Sequence, residues 1–289
     1  MGVDPMDYVT LASGLPPSSR LGFGCGSVMG RVGRGQSLRA IGAALDAGVT
    51  HFDVARSYGY GEAEALIGEA LSGRRDRVVI ASKLGLNPAR SAGALRALKP
   101  LAQRLAATIP GARTMLRSLV GGGAHAADHF SVGAARASLD QSLAALRTDY
   151  LDILFLHDCA AADVTAELIG FLEGQVAAGK IRAYGAATGI DAILALSDVY
   201  GDRLIYQFAN GMFARNAERL AGERRIIAHS PFAGAERLGS RADAHQTLLA
   251  HALAEPGVAV VLCSMLDDAH LRANLEIAER AERIGDVAA

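Results

Sequence analysis

Read for apolar and polar positions, the chain breaks into short apolar runs separated by longer amphipathic stretches. The runs fall at 21–25, 49–54, 77–82, 150–156, 181–187, 204–208, 225–228 and 258–262. Most are predominantly apolar, as expected of strands covered on both faces of a parallel sheet. The stretches between them carry helical spacing. Leu38, Ile41 and Leu45 share a face in 37–47, with Ser37 placed as N-cap and Gly48 as C-cap. Further helices are expected at 62–71, 131–146, 165–178, 190–196, 214–222, 246–254 and 267–284.

Eight strands, each followed by a helix or a helix-bearing loop, predict an α/β fold: a (β/α)8 TIM barrel rather than an open sheet. The whole chain, 1–289, is expected to be one barrel domain. The rhythm breaks once, after the third strand. Residues 85–130 form a long insertion rich in Ala, Gly and Arg, with Pro100, Pro110 and Gly121-Gly122-Gly123, and with helical spacing at 94–108. An insertion at the far end of a barrel strand reads as a lid or substrate-contacting loop, or as a decoration without function.

Composition narrows the function classes. The net charge of −1 gives no electrostatic case for nucleic acid or an anionic membrane. No apolar run approaches the roughly 20 residues of a membrane helix. Asp4 and Asp7 do not fit the basic and then apolar layout of a signal peptide. Cys25, Cys159 and Cys263 are an odd count without a CxxC pair, which suits reduced thiols and a cytoplasmic setting. The expected partner is a small molecule, and the sequence is silent on oligomeric state.

A barrel places its chemistry at the C-terminal ends of its strands. Asp53 ends the second apolar run, Lys83 follows the third, His157 follows the fourth, and Tyr58 lies on the loop after the second. Each alone has a structural reading: a loop cap, a paired strand-end lysine, a core histidine, a turn aromatic. Together they suit carbonyl reduction. Hydride delivery to a carbonyl leaves an oxyanion that needs a proton. The Tyr58 phenol can supply it if the Lys83 ammonium lowers its reference pKa of about 10. Asp53 would hold and balance Lys83, and His157 would aim a ring N–H at the carbonyl oxygen. No metal site is expected. His125 and His129 have helical metal spacing, but no acid or cysteine completes a set, and they read as solvated loop residues.

At these residues the chain resembles the aldo-keto reductase superfamily. Asp53-Val-Ala-Arg-Ser-Tyr58-Gly matches its D-x-A-x-x-Y-G signature, and 79–83 its lysine strand. The stretch 138–157 matches its helix and strand ending in histidine, and 180–185 and 229–232 also fit. The signature's spacing selects Tyr58 over Tyr60. The resemblance implies a nicotinamide cofactor held without a Rossmann fingerprint, since Met29 follows Gly24-x-Gly26 where a third glycine would stand. It implies Gly24, Cys25, Gly26 and Asp53 on the nicotinamide-ribose side, Gln207 on the carboxamide, and His229 where a stacking tyrosine is common. Ser230, Pro231 and Phe232 would follow the pyrophosphate, and Ser264, His270 and Asn274 the adenosine. Thr188-Gly189 replaces a frequent serine-asparagine, which weakens a second carboxamide contact. Leu266 and His270 replace frequent cations at a 2′-phosphate, with Arg272 nearby. NADPH is the cofactor implied, with NADH the alternative. The competing functions are a Schiff-base enzyme using Lys83, which Asp53 opposes, and a regulatory subunit that binds cofactor with little turnover.

Overall fold

A computed structural model describes residues 7–87, 129–220 and 225–288. Eight parallel strands close a barrel: β3 (Leu21–Gly24), β4 (His51–Asp53), β5 (Val79–Leu84), β6 (Leu151–His157), β7 (Ile181–Ala187), β8 (Ile205–Ala209), β9 (Ile226–His229) and β10 (Val258–Cys263), with β10 returning to pair β3. All eight expected strands are present, each within two residues of its expected bounds.

The strands' period of two divides the core. Val79, Ala81, Ile153, Phe155, Ile227 and Val260 gather into one buried cluster inside the barrel. Their chain neighbours Ile80, Leu154, Leu156 and Val261 belong to the larger cluster that packs the barrel against its helices. Two strands at the N-terminus were not expected. β1 (Tyr8–Val9) and β2 (Ser18–Ser19) pair antiparallel, and the segment between them sends Leu11 and Leu15 into the interior cluster. Leu11 and Leu15 meet residues near the N-terminal ends of the strands, such as Val79 and Ile205, and so close the barrel floor. Near the same end the fully buried Asp152 holds β6 to its neighbours. It pairs with Arg75 and Arg182, each at 2.7 Å, and accepts from the Ile80 backbone N–H at 2.9 Å.

The helices follow the expected order with four corrections. The first spans Arg34–Asp46, starting after Gly33 rather than at a Ser37 cap. Ser37 is buried within it, and its hydroxyl accepts from the Met29 N–H at 3.4 Å. The helix expected at 190–196 extends to Tyr200. At 214–222, among the described residues, there is only the single turn Ala217–Arg219. The last helix, Asp268–Ala288, runs four residues past its expected end, and the others sit as expected, at Ala63–Ala70, Val132–Leu146, Ala166–Ala177 and Ala244–Ala254. Ser131 and Thr165 cap two of them, accepting from Ala134 N and Leu168 N at 3.3 and 3.2 Å.

Most of the expected insertion, with the helix at 94–108 and His125, lies outside the described residues. Its two roots touch: a Cβ on Gly85 would stand 2.6 Å from Phe130 Cζ. Among the described residues all three cysteines are free and buried, and no helix is long and apolar enough to cross a membrane.

Candidate active site

The C-terminal ends of the strands surround a cavity of about 290 Å³. β3 contributes Gly24, β4 Asp53, β5 Lys83, β6 His157, β7 Ala187, β8 Gln207, β9 His229 and β10 Leu262. Gly26, Tyr58, Ser230 and Ser264 come from the loops that follow. Parallel pairing aligns these positions: Gly24 lies opposite Asp53, His157 opposite Ala187, and Ala187 opposite Gln207.

Lys83 is 3% exposed, and a buried ammonium must be paired. It donates to Asp53 Oδ1 and, at 3.2 Å, to the Val54 carbonyl. Asp53 Oδ2 accepts from Gln207 Nε2 at 2.8 Å, so both carboxylate oxygens are used. Burial alone would lower the Lys83 pKa. Asp53 and Tyr58 outweigh it, and the net direction is up, which keeps the side chain an ammonium.

Tyr58 opens a tight turn, Tyr58–Gly61, that is kinked at its two inner residues. Gly59 follows it at φ 58°, where a Cβ would meet the Val28 carbonyl oxygen at 2.6 Å, and this is why the signature needs glycine there. Tyr60 continues in the left-handed region at φ 59°. The turn brings the Tyr58 ring edge-on to His157, with centroids 6.0 Å apart at 87°, and the Lys83 Nζ lies 5.0 Å from the Tyr58 ring centre. Burial raises the Tyr58 pKa and Lys83 opposes it, but the balance remains upward. The expected lowering by Lys83 is therefore present as a contribution and is outweighed by burial.

His157 is held neutral. Burial first, and then the positive charge of Lys83, push its pKa down to about 3. A neutral imidazole carries one N–H and one bare nitrogen, and His157 Nδ1 has no hydrogen-bond partner in the protein. Burial also lowers the pKa of His229, whose Nδ1 lies 3.0 Å from Ser230 Oγ.

Of the residues singled out in the sequence, ten line this cavity: Gly24, Gly26, Asp53, Tyr58, Lys83, His157, Gln207, His229, Ser230 and Ser264. The others do not. Cys25 is fully buried with its Sγ toward the Phe23 carbonyl at 3.7 Å. The Thr188 hydroxyl donates to the Cys159 carbonyl at 2.8 Å. Pro231 is buried beside Phe232, which stacks on His245 with centroids 4.3 Å apart. The same His245 pairs through Nε2 with Asn274 Oδ1 at 2.7 Å. His270 is paired with Asp267 at 2.7 Å, and Leu266 is buried. Ala187 and Leu262 line the cavity without having been singled out, although the strand-end rule that located His157 marks their positions too. Among the described residues no three His, Cys, Asp or Glu side chains gather as a metal site.

A nicotinamide has a carboxamide whose NH2 must find acceptors. Gln207 supplies one, because its Oε1 is buried without a partner while its Nε2 is committed to Asp53. Gly26 lines the cavity beside the phenol, where a Cβ would make ordinary van der Waals contact with the Tyr58 ring at 3.9 Å. The residues present therefore fit a nicotinamide.

Residues 20–195 match the family model described as "Aldo/keto reductase family". Curated relatives include an aldo-keto reductase of Bacillus subtilis, 28% identical over 191 residues, which are 63% of this chain and 47% of that protein. A 6-dehydroglucose reductase of Novosphingobium aromaticivorans is 29% identical over 176 residues, 57% of this chain and 46% of that one. The chain thus spans about half the length of the curated relatives it matches. Among solved structures, a putative aldo-keto reductase from Pseudomonas aeruginosa superposes with a TM-score of 0.72 at 20% identity, covering 95% of each chain. A Klebsiella pneumoniae aldo-keto reductase in complex with NADPH superposes at 0.65 and 22% identity, covering 93% of this chain and 91% of that one. These structural likenesses establish the fold.

Proposed function

The chain belongs to the aldo/keto reductase family, whose model matches more than half of its 289 residues, and from that premise we propose that it reduces the carbonyl of an aldehyde or ketone, or oxidises the corresponding alcohol or sugar. NADPH is the proposed hydride source, supported by the NADPH complex of the Klebsiella structure, with NADH as the alternative. One observation carries the reading: a phenol, an ammonium, a carboxylate and a neutral imidazole surround one cavity at the strand ends.

A reduced nicotinamide, when bound, supplies hydride to the carbonyl carbon. The Tyr58 O–H gives its proton to the carbonyl oxygen as negative charge develops there, and the Lys83 ammonium stabilises the phenolate left behind. Asp53 keeps Lys83 charged and in place. His157, neutral, holds the carbonyl oxygen through its ring N–H. In the oxidation direction the Tyr58 phenolate takes the alcohol proton. Gln207 Oε1 would receive the carboxamide, with Gly24, Gly26, Asp53 and His229 around the nicotinamide side, while Cys25 is packed beneath it and Thr188 is held by Cys159. Ser230, Pro231 and Phe232 would run along the pyrophosphate, and Ser264, His270 and Asn274 would meet the adenosine. The proposed setting is cytoplasmic, and the proposed unit is a single barrel domain.

The second reading is a cofactor-binding regulatory subunit with little turnover; the engagement of Thr188, Phe232, Asn274 and His270 with protein partners bears on the cofactor contacts of both readings alike. A carbonyl panel followed by NADPH and NADH oxidation decides between them. Turnover is expected for at least one aldehyde or ketone. Nucleotide binding without turnover on any panel member overturns the enzyme reading.

A further inference from the structure

Between Asp53 and Tyr58 lies one charged residue, Arg56, whose side chain points out of the barrel rather than into the cavity. Its Nη1 donates to Asn87 Oδ1 at 3.0 Å and to Ser138 Oγ at 3.2 Å, and its Nη2 donates to Gln141 Oε1. Asn87 stands three residues past the end of β5, the strand that carries Lys83. Ser138 and Gln141 stand on the Val132–Leu146 helix. The guanidinium therefore ties the loop bearing the phenol to the segment that follows the ammonium's strand and to the helix packed outside them.

The surroundings make this tie more than a surface contact. Glu64, on the helix that follows Tyr58, is 4% exposed, and its carboxylate accepts from Ser82 Oγ at 2.6 Å. Ser82 is fully buried and adjoins Lys83 in β5. Burial raises the pKa of Glu64, and Arg56 is one of the charges that hold it down. On the cavity side, Lys83 holds the same loop by donating to the Val54 carbonyl. Residues 54–58 are thus gripped from both sides, by Lys83 from within the barrel and by Arg56 from without. The phenol and the ammonium must keep a fixed separation if one is to stabilise the other's conjugate base, and planar guanidinium bonding to several acceptors is well suited to fixing a loop.

We propose that Arg56 is a positioning residue for proton transfer: its bonds to Asn87, Ser138 and Gln141 set the placement of Tyr58 relative to Lys83. The proposal rests on the reading of Tyr58 as the proton donor.

The test compares wild type with Arg56→Ala in three measurements. The first is steady-state carbonyl reduction. The expected result is a fall in kcat of about 10- to 100-fold, the scale of a small misplacement of a reacting group, with the cofactor dissociation constant within about twofold of wild type because cofactor contacts are made elsewhere. The second is rescue: free guanidinium ion should raise kcat of Arg56→Ala in a saturable way while leaving wild type unchanged. The third is NMR titration of ring-labelled tyrosine, with Tyr58→Phe used to assign the signal. Tyr58 should titrate at higher pH in Arg56→Ala, since it loses part of the Lys83 field. A variant that is less thermostable but keeps wild-type kcat and Tyr58 titration overturns the proposal. So does guanidinium that restores melting temperature without restoring kcat. The titration needs no turnover, so a wild-type protein inactive on every carbonyl would refute the enzyme reading while leaving the placement of Tyr58 by Arg56 measurable.

Discussion

Asp53 decides which way Gln207 faces. The two residues are 154 positions apart in sequence, yet Asp53 Oδ2 accepts from Gln207 Nε2 at 2.8 Å, which leaves Gln207 Oε1 as the bare end of the amide. A carboxylate only accepts, so the amide cannot turn over without losing this bond. Replacing Gln207 by Met removes the acceptor and frees one oxygen of Asp53. Cofactor affinity, read by fluorescence titration, should weaken about tenfold, the scale of one lost buried hydrogen bond. Wild-type affinity in Gln207→Met would remove Gln207 from the cofactor site.

Tyr58→Phe deletes the proton donor and little else. The carbonyl-reducing kcat should fall by about 10²- to 10⁴-fold, the usual contribution of general acid catalysis. Cofactor affinity should stay close to wild type, because the assigned cofactor contacts do not involve the hydroxyl. Stopped-flow measurement of the hydride-transfer step checks this directly. A variant with wild-type rates would require another proton source.

The direction of reaction should set the sign of the pH profile. Reduction needs the phenol protonated, so its rate holds through neutral pH and falls as pH rises through the Tyr58 pKa. Oxidation needs the phenolate and rises over the same range. Burial places that pKa above the ordinary tyrosine value in the free protein, with Lys83 opposing. In Lys83→Met the limb should move to higher pH and the plateau should drop. With its pKa pushed down to about 3, His157 adds no acid limb near neutrality. A limb that stays put in Lys83→Met would contradict the pairing of phenol and ammonium.

Acid should loosen the barrel through His51. This side chain lies fully buried beneath Asp53, with Nδ1 2.8 Å from Ser18 Oγ and Nε2 unpartnered. Burial, mainly, pushes its pKa from 6.5 down to about 4. Between those values the unfolded chain binds the proton and the folded one does not, so stability is full above about 6.5 and declines as pH falls toward about 4. The loss should total on the order of 3 kcal/mol. Urea midpoints against pH measure it, and His51→Gln should flatten the slope across that window. An unchanged slope would assign the acid loss to other groups.

The sequence made some of this legible and not the rest, for physical reasons. The eight barrel strands could be read because both faces are buried and the runs are largely apolar, unbroken in Val258–Cys263. The floor could not, because two-residue strands such as Tyr8–Val9 are too short to carry a pattern. Ser37 misled because a serine's hydroxyl serves a cap or a buried loop N–H equally well, and here it meets Met29. The strand-end rule placed Asp53, Lys83 and His157 correctly on the rim. The balance at Tyr58 was out of reach, because the sequence names the ammonium but does not measure the burial that outweighs it. The engagement of Asn274 by His245 depends on a contact between two separate helices, which no local pattern records.

Gly85 and Phe130 touch, so the polypeptide departs from the barrel and rejoins it at a single point. The register of β5 on β6 is set by residues on the barrel side of that point, from Ala81 against Ile153 to Leu84 against Leu156. Asn87 stays with the barrel as a partner of Arg56, and the stretch from 88 to 129 is proposed as a cassette. Closure cost grows only slowly with loop length, so the barrel should accept a short glycine linker there, or a foreign segment of another size. The catalytic groups, carried by the strand ends, should then keep their placement after such an exchange.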